Sequence, residues 1–252
     1  MSRHVRLGMF AVAGAGMLAV LLLGFTGLPS FGHAHELYGA LLNRTEDKLR
    51  HATDIVTALN FDIRAFDTLG EEFILFASVT GVSLLLRQLR DEEETDQQAP
   101  GIEDHAFAGA SDGMKLASLV LIPVLVAFGF YLVFHGQLTP GGGFQGGVVL
   151  AAGPIAILLA GRYLSMKVVA PKVLLESSDA IGAASYVLIG LAGLIFVGTY
   201  LRNPLPLGSP GHLLSAGMMP LNSIAVGLEV AGAFLVTWTA FLDQTMIAPP
   251  SG

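Results

Sequence analysis

Glu229 lies inside the apolar run Asn222-Ser-Ile-Ala-Val-Gly-Leu-Glu-Val-Ala-Gly-Ala-Phe-Leu-Val-Thr-Trp238, which is long enough to cross a bilayer. A charged side chain at that depth costs at least about 2.5–3.5 kcal/mol on insertion scales. Such a group is kept where a partner, a water-filled path or a moving ion uses it. Its same-face neighbours at three and four residues are Ala225, Val226, Gly232 and Ala233, so its own helix offers no ion pair. A carboxyl group there can carry a proton or offer oxygen to a hard cation. The bland alternative is a buried acid bonded to a backbone group, and the ion or interface role outweighs it.

A second acidic group opens another apolar run, Phe66-Asp67-Thr68-Leu69-Gly70-Glu71-Glu72. Thr68 with Glu71 three residues on reads as a capping box, and acids suit the positive end of a helix dipole. That accounts for Glu71 without function. Glu72 points about 100° away on a helix and is left unexplained. Asp67, Glu71 and Glu72 are therefore ion-path candidates beside Glu229.

His135 joins them at the head of His135-Gly-Gln-Leu-Thr-Pro140-Gly141-Gly142-Gly143-Phe144-Gln-Gly146-Gly147. This is no phosphate loop, because the Gly-Lys-Ser/Thr ending is absent. One reading is a tight connection followed by a small-residue stripe, Gly143, Gly147 and Ala151, that lets a helix approach closely. The other is irregular backbone lining a cavity at membrane depth.

Weaker signals are assigned bland roles. Ser178 or Asp179 is an ordinary N-cap for the fifth apolar segment, with Glu176 beside it. Asp243 closes the sixth near water. His33-Ala-His35-Glu36 lacks HExxH spacing and reads as a solvated cluster, so no metal site is expected. Absence of cysteine excludes disulfides and thiolate chemistry, and no Gly-x-Ser-x-Gly nucleophile elbow is present. The chain is not read as an enzyme.

The elements that must position these groups follow from composition. Of 252 residues, 53% are hydrophobic and 13% charged, and the mean hydropathy is +0.65. Soluble domains carry roughly 25% charged residues. Net charge of −7 leaves no basic patch for nucleic acid. Six apolar segments, near 7–28, 69–86, 116–134, 144–162, 180–198 and 222–242, are long enough to span. The fold expected is all-α and polytopic, with about six transmembrane helices.

The first segment, with Arg3 and Arg6 before it, reads as a retained helix in preference to a cleaved signal peptide. Lys and Arg divide eight against five in favour of both termini on the cytoplasmic side. Within 29–67, leucines interleaved with charges predict an amphipathic interfacial helix. The acidic stretch Asp91–Gly101 predicts a linker, giving a two-helix part (1–90), a linker (91–114) and a four-helix part (115–252).

These motifs carry a resemblance. Pro140–Gly147, Leu174–Gly182, Leu188–Leu194 and Leu213–Val230 resemble signatures of the B subunit of Mrp-type multi-subunit sodium/proton antiporters, over roughly residues 115–245. Ile55–Glu71 is similar to the C-terminal end of the A subunit of the same antiporters, and to a small subunit of membrane-bound hydrogenases. The chain thus looks like a fusion of the two.

The resemblance implies a bacterial or archaeal plasma membrane, other antiporter subunits as partners, Na+ and H+ as transported ions, and no cofactor. It places the family's acid on Glu71, with Glu72 an extra one, and it matches the Asp62-x-Arg64 pair, expected to order the preceding loop. Because no Lys lies in a spanning segment, exchange by this chain alone is not expected. The alternatives are a purely structural adaptor and a membrane-arm subunit of a hydrogenase-like redox complex.

Overall fold

The computed structural model describes residues 3–28, 37–94, 110–160 and 163–247. Most of the acidic linker and the His33–Glu36 cluster lie outside these. Among the described residues the regular structure is entirely helical: α1 (Arg3–Thr26), α2 (Leu37–Arg50), α3 (Ile55–Ala58), α4 (Ala65–Glu94), α5 (Asp112–Phe134), α6 (Gly143–Leu159), α7 (Tyr163–Val169), α8 (Lys172–Val197) and α9 (Met219–Ile247), with a π-helical turn at Leu59–Ile63. Stretches of α1, α4, α5, α8 and α9 are long and apolar enough to cross a membrane. The 17 residues of α6 are also apolar, and at 1.5 Å per residue they reach about 26 Å. The protein is an all-α, multi-pass membrane protein.

Two compact units are present, residues 1–41 and 42–252. In the first, α1 is exposed along its described length. In the second, α9 is the central helix and packs on α4, α5, α6 and α8. Tyr186 meets Ala65, whereas Asp179 lies near Glu72, so α4 and α8 run antiparallel. Ser223 meets Val133 and a Cβ on Gly143 would meet Ser223, so α6 runs with α9 and α5 against both. The loops 51–64, 135–142 and 198–218 therefore share one end of the bundle. Lys115 and Lys172, at the starts of α5 and α8, lie at the other.

Small residues set the helix spacing, since lipid gives apolar surfaces little reason to prefer each other. A Cβ on Gly143 or Gly147 would sit 2.5 or 2.8 Å from Val226 or Val230 of α9, and one on Gly146 would collide with Val133 of α5. The stripe expected from the sequence is thus a packing surface on two sides. Gly142, at φ 125° and ψ 177°, adopts a backbone conformation essentially confined to glycine and caps α6.

The loop end is bound together by polar contacts. Backbone N–H groups of Thr53 and Asp54 donate to the Gln137 carbonyl at 3.0 and 3.2 Å. The buried Gln137 Nε2 donates to the Leu213 carbonyl at 2.7 Å. The Thr53 hydroxyl donates to the Leu138 carbonyl at 2.6 Å, and Asp54 caps α3 through Thr57 N–H. Part of the segment expected at the interface is therefore core: Ala52, Ala58 and Phe61 are buried, and only α2 keeps the amphipathic pattern.

Two boundaries and one pairing differ from the sequence expectation. Helix α4 starts at Ala65, so Thr68 is inside it, and its hydroxyl donates to the Asn60 carbonyl at 2.8 Å instead of capping. The π-helical turn leads the chain into α4 earlier than the capping box implied. Helix α8 starts at Lys172, so Asp179 lies two turns inside and is no cap. The Asp62-x-Arg64 pair is not a contact either: Asp62 pairs with Arg50, and Arg64 with Asp67.

Candidate functional site

Glu229 stands ten residues into α9, about 15 Å along its axis, near the middle of the stretch Met219–Leu242 that is long and apolar enough to cross a membrane. It is fully buried, and Glu72 of α4 is 1% exposed. The two carboxyls lie within side-chain hydrogen-bonding reach of each other. Even so, none of their four oxygens has a partner of good geometry. The groups acting electrostatically on the pair are all acidic: Glu71 and Asp179 on Glu72, and Asp179 on Glu229. Two negative charges side by side in a low dielectric need a proton or a cation between them.

Close helix packing positions the pair. A Cβ on Gly182 of α8 would lie 2.5 Å from the Glu229 amide nitrogen and 2.6 Å from its Cβ. Glycine there lets α8 press against the backbone that carries the acid. One turn further along α9, Gly232 receives Ser178 and the Asp179 backbone in the same way. Toward the loop end, fully buried Tyr186 donates from its hydroxyl to the Ala65 carbonyl at 2.9 Å. Its ring lies 6.3 Å from that of Phe61.

The other candidates fall elsewhere. Glu71, one residue from Glu72, is exposed. Asp67 is exposed and taken by Arg64, whose Nε donates to it at 2.6 Å. His135 stacks on Tyr131 at 4.8 Å, and its Nδ1 lies 3.2 Å from the Thr139 hydroxyl. The structure therefore brings together Glu72 and Glu229 and leaves Asp67 and His135 in local contacts. Among the described residues no cluster of three or more His, Cys, Asp or Glu could hold a metal ion.

Asp179 is the residue that sequence reasoning misplaced. It is 5% exposed, and its Oδ1 has no partner. The signal was available in its spacing: Leu175, Asp179, Gly182, Tyr186, Gly190 and Gly193 recur at three and four residues and form the buried face of α8.

Two cavities lie beyond the pair, neither of them lined by Glu72 or Glu229. At the loop end, about 720 Å³ is lined by groups including Arg50, Asp62, Tyr200, Arg202 and Asn203. Burial raises the Asp62 carboxyl, against the lowering pull of Arg50 and Arg202. At the other end, about 260 Å³ lies between α4 and α8, with Asp179 on its wall.

The class is thus a polytopic helical membrane protein with two buried acids facing each other inside the bundle. Residues 114–236 match the family described as "Domain related to MnhB subunit of Na+/H+ antiporter", and that part of the chain belongs to the family. An uncharacterized protein of Methanocaldococcus jannaschii, MJ1307, is 35% identical over 189 residues, covering 69% of this chain and 71% of the relative. A probable A/B subunit of a K(+)/H(+) antiporter from Rhizobium meliloti is 30% identical over 125 residues, 43% of this chain but 12% of that protein. Among solved structures, a chain of the membrane-bound sulfane sulfur reductase, an archaeal respiratory membrane complex, superposes with TM-score 0.67 at 26% identity. That match covers 96% of this chain and 99% of the other.

Proposed function

We propose that the chain is a non-catalytic subunit of a multi-subunit monovalent cation/proton antiporter in the plasma membrane, and that the Glu72–Glu229 pair lies on its ion path. The observation that carries this is two buried carboxyls from two helices, facing each other in the middle of the bundle, with acids alone among the charged groups acting on them. Carboxylate oxygens suit a hard monovalent cation, and the same group takes a proton. Competition of the two for one site, under opposing gradients, gives exchange. Residues 1–90 serve as the A-subunit-like tail and 115–252 as the B-subunit-like part. Glu71 stays a candidate on the family resemblance, and its exposed position suits contact with a neighbouring subunit.

The test is Glu229→Gln, with Glu72→Gln beside it, in vesicles holding the whole complex. Exchange falls to background while native gels show the complex intact. Normal exchange in both variants would remove the pair from the mechanism, whereas loss of the complex would support the adaptor role. A second reading, a membrane-arm subunit of a respiratory redox complex, is favoured by the near-complete coverage of the sulfane sulfur reductase chain. The proteins that co-purify with this chain decide it: antiporter subunits alone, or redox subunits among them.

A further inference from the structure

We propose that the cavity between α4 and α8 is a one-sided half-channel through which hydrated monovalent cations and protons reach the Glu72–Glu229 pair, with Asp179 as its relay. This rests on the exchange reading above and extends it to a route, a side and a third carboxylate.

The cavity, about 260 Å³, has room for several water molecules. Lys172 and Glu176, which pair at 3.6 Å and are exposed, stand at its outer end in the first turns of α8. Thr80 and Ser83 of α4 add hydroxyls to its wall, and Asp179 lies at the inner end. Two polar atoms there are buried without a protein partner, Asp179 Oδ1 and Ser83 Oγ. Buried polar groups in native proteins are satisfied by protein or by water. Both oxygens lie behind the wall, shut off from water in this conformation, and a side-chain rotation that turns them into the cavity gives them water partners; a file of water is what a proton or hydrated cation needs. Asp179 in turn lies close enough to Glu72 and Glu229 for its charge to act on both. Polar groups therefore follow one another from the Lys172 end to mid-depth.

The opposite direction is closed. Tyr186 is fully buried, is tied by its hydroxyl to Ala65 and packs on Phe61 between the pair and the loop end. The cavity beyond it carries Arg202 beside the Arg50–Asp62 pair, an excess of positive charge that disfavours a cation. Access in this conformation is therefore from the face bearing Lys115 and Lys172, the cytoplasmic one by the Lys/Arg bias.

The chain contains no cysteine, so an introduced thiol is the only one on this subunit, and the complex without it gives the background. Ser83→Cys and Thr80→Cys are placed in the intact complex, in inside-out and right-side-out vesicles, and treated with a membrane-impermeant methanethiosulfonate. Leu188→Cys, on the exposed apolar face of α8, is the lipid-facing control. The expected result is modification of Ser83→Cys and Thr80→Cys from the Lys172 face alone and no modification of Leu188→Cys from either face. Asp179→Asn lowers exchange as far as Glu229→Gln does, with the complex intact, and Asp179→Glu restores part of it. If Ser83→Cys and Thr80→Cys stay unmodified from both faces while Glu229→Gln is inactive, the half-channel is overturned and the exchange reading stands. Normal exchange in Asp179→Asn overturns the relay alone. Normal exchange in Glu229→Gln, with both thiols modified, overturns the exchange reading and the relay with it, leaving a water-filled cavity.

Discussion

Gly182→Ala tests whether the contact that positions Glu229 is as tight as the structure has it. The added Cβ would lie 2.5 Å from the Glu229 amide nitrogen, 2.6 Å from the Glu229 Cβ and 2.7 Å from the Ala225 carbonyl oxygen. None of these atoms can rotate away, because two are backbone and the third is fixed to it. Relief requires α8 and α9 to separate by roughly 1 Å to reach ordinary contact distance. Overpacking costs about 1–3 kcal/mol, and rigid opposing atoms put this site at the upper end. Alanine recovers about 1 kcal/mol of helix propensity relative to glycine. The net loss is about 2 kcal/mol, a factor of about 30 in the folded-to-unfolded ratio. Thermal melting of the purified protein in lipid nanodiscs measures it, with Gly81→Ala as control, since a Cβ there meets nothing within 4 Å. The control melts at or above the wild type, and Gly182→Ala melts below it. Equal melting of the two variants would refute the close approach of α8 to Glu229.

Gly142→Ala places a side chain at φ 125° and ψ 177°, and is expected to destabilise by about 1–3 kcal/mol in the same assay. No change would mean that the α5–α6 connection relaxes freely. Asp62 gives a pH signature. Its carboxyl is raised by burial above the ordinary 3.8, so its stabilising contribution is full below that value and lost as pH rises through the folded one. The melting temperature of the wild type minus that of Asp62→Asn should therefore rise as pH is lowered from about 7 to about 4. A fall would mean that Arg50 and Arg202 outweigh burial.

The spanning helices are legible because a 30 Å hydrocarbon layer demands runs of apolar residues whatever they pack against. What hydropathy cannot supply is which face of each helix turns inward, since lipid-facing and interior faces are both apolar. The code for the interior is small residues and isolated acids: Gly143 and Gly147 stand out as a packing stripe, while Gly182 and Gly232 sit singly among larger residues and do not. Asp179 is hidden for a related reason. A helix boundary set at residue 180 makes a buried acid resemble a cap, whereas the helix begins at Lys172. The carboxyl of Glu72 stands out by its 100° offset from Glu71, and the structure turns that offset into one exposed acid and one buried one. The meeting of residues 51–57 with Gln137 has no local signature at all. It arises from the Thr53 and Asp54 N–H groups on the Gln137 carbonyl and from the Thr53 hydroxyl on the Leu138 carbonyl 85 residues away, and tertiary contacts of that kind carry no periodicity.

The central place of α9 has a consequence for biosynthesis. It is the last of these helices to leave the ribosome, yet it fills the middle of the bundle and brings the second acid. Until it arrives, Glu72 and the glycine faces of α6 and α8 have only lipid, or one another, to meet. A nascent chain halted before Met219 would therefore hold lone carboxyl groups in hydrocarbon, a state that membrane proteases and chaperones are able to recognise. Insertion of the final segment ends that exposure by bringing Glu229 against Glu72.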